Sequence, residues 1–180
     1  MKSSYLYSWL FSIIAATLTA AQNDSCIADN EVEGIAQRWL DAFATGGLKG
    51  LPDAVTSDIH IYDEGVQNGS TIPYIQNYTQ LQESISASAY GGGGVTNVTY
   101  DVLFTFHTCH RIALRWQETA ITTNDIGYGS TVLAGKKIQF KGTDLLTIDL
   151  ASKKVMNATT SADLLNYYRG LGYPLGALAS

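Results

Sequence analysis

The chain has 180 residues, a formal net charge of −5 and 15% charged residues. That length suits a single domain. The acidic balance speaks against nucleic acid and against an anionic membrane surface, because both need basic clusters.

In chain order, residues 1–21 come first. Lys2 supplies a positive start, and Leu10 to Leu18 is apolar apart from Ser12 and Thr17. Thr19, Ala20 and Ala21 offer small residues for cleavage before Gln22. This is the pattern of a secretory signal peptide and is too short for a membrane span. No later stretch is long and apolar enough to cross a bilayer. Residues 22–30 read as an N-terminal tail and 31–175 as the folded domain. Secretion also fits the sequons at Asn23, Asn68, Asn77, Asn97 and Asn157. With 8 Asn and 32 Ser plus Thr in the chain, chance predicts roughly one or two acceptor sites of this kind. The five are therefore expected to include N-glycosylated positions in a secretory-pathway lumen or outside the cell. Cys26 and Cys109 are the only cysteines. An even pair in an oxidising compartment predicts one disulfide.

Glu31 to Thr45 is expected to be a helix, capped by Asp29 or Asn30, with Ile35, Trp39 and Phe43 on one apolar face beside Leu40. Gly46-Gly47 ends it. A short helical turn over Leu48 to Val55 leads to a strand from Asp58 to Asp63. Ile75 to Ser88 is expected to be helical. Tyr90 to Gly94, "YGGGG", reads as a linker, since no Gly-Lys-Ser/Thr follows to make a phosphate loop. Four long strands follow at Val95 to His107, Arg111 to Thr123, Lys137 to Asp149 and Lys153 to Thr160, rich in β-branched and aromatic residues. A last helix lies within "SADLLNYYRGLG".

"TFHTCHR", Thr105 to Arg111, places a cysteine between two histidines at the turn between two strands. A disulfide at Cys109 would remove the thiolate that a Cys–His nucleophile needs. A zinc site would need a third ligand, and His60 is the one remaining histidine, so no metal is expected. The element order predicts an α+β fold in which a curved antiparallel sheet wraps around helices.

Two segments carry a resemblance. "VEGIAQRWLDAFATGGLKGL" followed by "VTSDIHIYDEG", and "FKGTDLLTIDLASKKV" leading into "SADLLNYYRGLG", resemble the SnoaL-like branch of the nuclear transport factor 2-like superfamily, over about Glu31 to Gly172. The resemblance implies a cone-shaped barrel with one central apolar pocket. Members include polyketide cyclases, ketosteroid-type isomerases, dehydratases, epoxide hydrolases and pure binding domains. The enzymes among them use Asp, His and Tyr for acid–base chemistry, usually without a cofactor. Relatives often pair through the outer sheet face, so a homodimer is a further expectation. The leader, the cysteine pair and the sequons set this chain apart from them.

Asp144 is the leading candidate. Strand alternation places it with Phe140, Leu146 and Ile148, and a carboxylate on an apolar face needs a reason. A dry pocket would shift its pKa and make it a proton donor or acceptor. Asp163 matches the aspartate that SnoaL-like cyclases carry at their last helix, although a carboxylate there also suits a helix N-terminus. Tyr62, before Asp63, stands where the family often has a His-Asp pair. His107 is placed at the pocket rim. These four are the catalytic candidates. Trp39, Phe43, Tyr100, Arg115 and Tyr168 are the substrate-binding candidates. The expected function is cofactor-free cyclisation, isomerisation or dehydration of an apolar natural product of polyketide or terpenoid type. The alternative is a secreted, non-enzymatic binding protein for such a small apolar molecule.

Overall fold

The computed structural model describes residues 26–67, 71–87, 94–123 and 132–173. The proposed leader and the sequons at Asn23 and Asn68 lie outside the described residues.

Helix α1 spans Asp29–Asp41 and buries Val32, Ile35, Ala36, Trp39 and Leu40, a stripe at helical spacing. It begins two residues before the expected start. Ala28, not Asp29 or Asn30, is the capping position, and the Glu31 carboxylate accepts a hydrogen bond from the Ala28 N–H at 2.9 Å. It ends before Thr45 because Thr45 is tied to the sheet. The Thr45 N–H donates to the Val98 carbonyl at 3.0 Å, and the Val98 N–H donates to Thr45 Oγ1 at 2.8 Å. At Gly47 a Cβ would stand 1.8 Å from the Asp41 carbonyl oxygen, so this tight reversal takes glycine.

A 3₁₀ turn over Gly47–Gly50 and helix α2, Leu51–Ala54, lead into strand β1, Val55–Asp63. Helix α3, Glu64–Gln67, is an unanticipated single turn. Helix α4, Tyr78–Ala87, buries Leu81 and Ile85. Strands β2, Val95–His107, β3, Arg111–Thr122, β4, Lys137–Asp149, and β5, Lys154–Ala162, precede helix α5, Leu164–Gly170.

The five strands form one curved, unclosed sheet in the order β1-β5-β4-β3-β2. From β2 to β5 it is an antiparallel meander, but β1 runs parallel to β5. The sheet is thus mixed. A parallel neighbour needs a long crossover, and here all the chain between β1 and β5 provides it. Along β3 burial alternates without a break: Ile112, Leu114, Trp116, Glu118, Ala120 and Thr122 face the helices. Strand β4 does the same with Ile138, Phe140, Gly142, Asp144, Leu146 and Ile148. Strand β2 has register shifts between Thr96 and Thr99 and between Val102 and Phe104. The second puts Phe104 and Phe106 opposite Arg115 and Ala113, on the outer face.

Cys26 and Cys109 are joined. Beside them the Ile27 N–H donates to the Cys109 carbonyl at 2.9 Å, and Ile27 is buried. The N-terminal tail is thereby pinned to the β2–β3 turn. Among the described residues no helix is long and apolar enough to cross a membrane.

Candidate active site

Between the concave sheet face and helices α1, α4 and α5 lies a cavity of about 260 Å³. Its walls follow from the alternation above, since the inward residues of β3 and β4 floor it and Trp39 of α1, with Phe43 just beyond the helix, roofs it. Aromatic rings meet edge to face around it. Trp39 lies 4.8 Å from Phe43, and Trp116 lies 5.6 Å from both Tyr100 and Phe140.

Three carboxyl groups line this space, and two of them, Asp144 and Glu118, are buried. Asp144, 3% exposed, receives a hydrogen bond on Oδ2 from Trp39 Nε1 at 2.7 Å. Burial raises its pKa, because a charge in a low dielectric loses its hydration. Trp116, Trp39 and Thr160 stand close enough to favour the charged form, and the charge of Asp63 opposes it. Trp116 and Thr160 complete no hydrogen bond to it, however: Asp144 Oδ1 and Trp116 Nε1 are both buried without a hydrogen-bonding partner. Glu118, 6% exposed, accepts from the Tyr100 hydroxyl at 2.7 Å. Burial pushes its pKa up to about 7, with the Tyr100 bond pulling the other way. Burial also holds the Tyr100 hydroxyl well above its ordinary 10.0, and the neighbouring Glu118 adds to this. Tyr167, its ring tilted against Phe140 at 4.7 Å, is pushed up to about 12 by burial and by Glu118.

The cavity brings together Asp144, Trp39, Phe43 and Tyr100. It does not include the other candidates. Tyr62 alternates with the inward Ile61 and Asp63, and lines an open groove on the outer sheet face with Arg111 and Leu145. His107 also borders that groove, and its Nε2 lies 3.1 Å from Asp29 Oδ1 at the start of α1. Arg115 points outward and donates to Thr143 Oγ1 at 3.0 Å. Asp163 caps α5 by accepting from the Asn166 N–H at 3.1 Å. This bond holds its carboxyl below the usual range, the opposite of what a neutral-pH proton donor needs. Tyr168 packs in a separate small cluster around Ala120, Ile138 and Leu171.

Glu118 and Trp116 are the residues that sequence reasoning passed over. The signal was present, since the alternation that singled out Asp144 in β4 places Glu118 with Ile112, Leu114 and Trp116 in β3. Among the described residues no three His, Cys, Asp or Glu side chains converge to hold a metal ion. The exposed sequon residues Asn77 and Asn97 lie on the surface, and Asn157 is half-buried in the outer groove.

Several solved structures share this architecture. A protein described as a candidate polyketide cyclase from Acidithiobacillus ferrooxidans superposes with a TM-score of 0.64 at 14% identity, over 81% of this chain and 96% of that one. A candidate SnoaL-like polyketide cyclase from Jannaschia sp. CCS1 gives 0.57 at 12% identity, over 81% and 94%. An LEH-like epoxide hydrolase of M. tuberculosis gives 0.55 at 10% identity, over 79% and 85%. At such identities the likeness is one of fold. No curated protein matches the chain. The NTF2-like domain family matches residues 25–174, nearly the whole described fold, and the chain belongs to that family.

Proposed function

We propose that this protein is a small acid–base enzyme that cyclises, isomerises or dehydrates an apolar molecule without a cofactor. The observation that carries the reading is that one aromatic cavity holds two buried carboxyl groups, Asp144 and Glu118, both with raised pKa. A group titrating at about 7 is present in both protonation states near neutral pH, as a general acid or base requires. Asp144, oriented by Trp39, serves as the second proton-transfer group. The aromatic walls exclude water and hold the substrate. The names of the structural neighbours, polyketide cyclases and an epoxide hydrolase, support the same class of chemistry.

The setting we propose is the secretory pathway, supported by the leader pattern, the five sequons and the Cys26–Cys109 bond. A second copy would pack on the outer sheet face, where Phe104, Phe106 and Leu145 stand exposed.

The test is turnover. Against a panel of small cyclic ketones, alcohols and epoxides, any substrate found should lose ~10²–10⁴-fold in kcat with Asp144→Asn. Unchanged melting would accompany it if the side chain acts chemically. An Asp144→Asn enzyme that turns over normally removes the proposal. A panel in which compounds bind and none reacts would replace the enzyme by a binding protein.

A further inference from the structure

Two polar atoms of residues lining the cavity complete no hydrogen bond in the fold. Asp144 Oδ1 and Trp116 Nε1 are both buried and both lack a hydrogen-bonding partner. Leaving such groups unmet costs about 1–3 kcal/mol each, so their presence side by side on a ligand-sized cavity points to what the cavity holds. Their neighbourhood is constructed. Trp116 and Asp144 are diagonal neighbours across the β3–β4 pair, because Trp116 pairs with Gly142 and Leu114 with Asp144. The bare backbone at Gly142 lets the indole lie against β4, where a Cβ would fall 1.9 Å from Trp116 Cζ2 and 2.5 Å from Cε2. Trp39 fixes the carboxylate from the other side through Oδ2.

We infer that this pair is a recognition site for a hydroxyl group, and that the ligand is a small alcohol or phenol of one or two rings. The inference rests on the acid–base reading of the same cavity and names its substrate class. The site concerns the ionised form of Asp144, which the Trp39 indole favours: an indole N–H can only donate, and an ionised carboxylate oxygen can only accept. A hydroxyl answers both at once, donating to Oδ1 and accepting from Nε1. A carbonyl satisfies the indole and leaves the carboxylate facing another acceptor. An ammonium satisfies the carboxylate and leaves the indole unmet. A carboxylate ligand would bring a second negative charge beside Asp144. Size adds a limit: about 260 Å³ falls below the ~300–1,000 Å³ of pockets for drug-sized ligands. Trp39, Phe43, Tyr100 and Phe140 supply aromatic wall, and Asp63, Ser84, Thr160 and Tyr167 add polar groups elsewhere in the lining.

The test uses three probes of one skeleton, indane, 1-indanol and 1-indanone, titrated calorimetrically into the full-length protein. 1-Indanol should bind at least about tenfold tighter than either of the others, one hydrogen-bonded pair being worth about that factor. In Trp116→Phe, which keeps an aromatic wall and removes the donor, 1-indanol and indane should come within about threefold of one another. The proposal is overturned by equal binding of 1-indanol and indane, by tighter binding of 1-indanone, by no binding of any probe, or by a preference that survives Trp116→Phe. If that variant does not fold, the wild-type ranking alone decides. Carboxyl titrations followed by NMR in the same preparation separate the two levels. A flat ranking with Glu118 titrating near 7 removes the hydroxyl site and leaves the acid–base reading standing, whereas a Glu118 titrating as an ordinary carboxyl removes that reading too.

Discussion

Asp144 and Glu118 sit in the same cavity but meet different opposition to their burial. Asp144 has a direct indole donor and two further polar groups near it. Glu118 has the Tyr100 hydroxyl, and desolvation outweighs that single bond. The sign of the consequence follows from proton binding. An acid whose pKa is higher folded than unfolded keeps its proton in the native state after the unfolded chain has released its own. The unfolded state then binds fewer protons, and stability falls as pH rises. For Glu118 the window runs from its ordinary 4.5 to about 7. The penalty is absent below that window and complete above it, on the order of 3 kcal/mol at most. Thermal unfolding of wild type should therefore weaken across this range, with Asp144 acting in the same direction. Glu118→Gln, which keeps an acceptor for Tyr100, should flatten the profile and be the more stable protein at pH 7.5. Parallel profiles for the two proteins would mean that Glu118 titrates like an exposed carboxyl.

At the scale of elements, the site is a product of the β3–β4 pair. Glycine inside a strand ordinarily weakens it, since it brings backbone entropy and no side chain to pack. At Gly142 the missing side chain is the space that Trp116 occupies. Gly142→Ala should displace the indole, shift the tryptophan fluorescence and cost about 1–3 kcal/mol from overpacking. In a Trp116→Leu background the same substitution should cost much less, and that coupling measured by a double-mutant cycle is the check. Equal costs in the two backgrounds would mean that Gly142 is needed for a reason other than Trp116. Strand β2 shows the complementary device. Its second register shift keeps Tyr100 and Val102 inward and turns Phe104 and Phe106 out, so one strand serves both the cavity wall and the exposed outer face.

For the whole molecule, the expected secreted product starts near Gln22 and carries N-glycans on at least two sequons. Asn77 and Asn97 are the favoured described positions. Both are exposed, and the Asn77 side chain accepts from the Gln80 N–H at 3.0 Å through Oδ1, not through the Nδ2 that a glycan would occupy. Mass measured before and after enzymatic deglycosylation checks this, and an unglycosylated product retaining Met1 would refute it. Local pattern accounts for part of this molecule. The bounds of β2 and β4, the order of the strands, the disulfide partners and the inward setting of Asp144 all follow from periodicity or from a count of two cysteines. Which strand face encloses the cavity depends on long-range packing. Alternation separates Tyr62 from Asp63 and Arg115 from Trp116, but it does not say which member of each pair looks inward where both faces carry apolar residues. It also cannot see a register shift, which reverses the faces partway along β2. The parallel seating of β1 against β5 lay equally beyond local pattern, because it joins segments about a hundred residues apart. So did the meeting of Glu118 with Tyr100 and of Trp39 with Asp144. Those contacts are made by folding, which carries side chains distant in the chain out of water together and leaves each carboxyl to find its donor in the wall opposite.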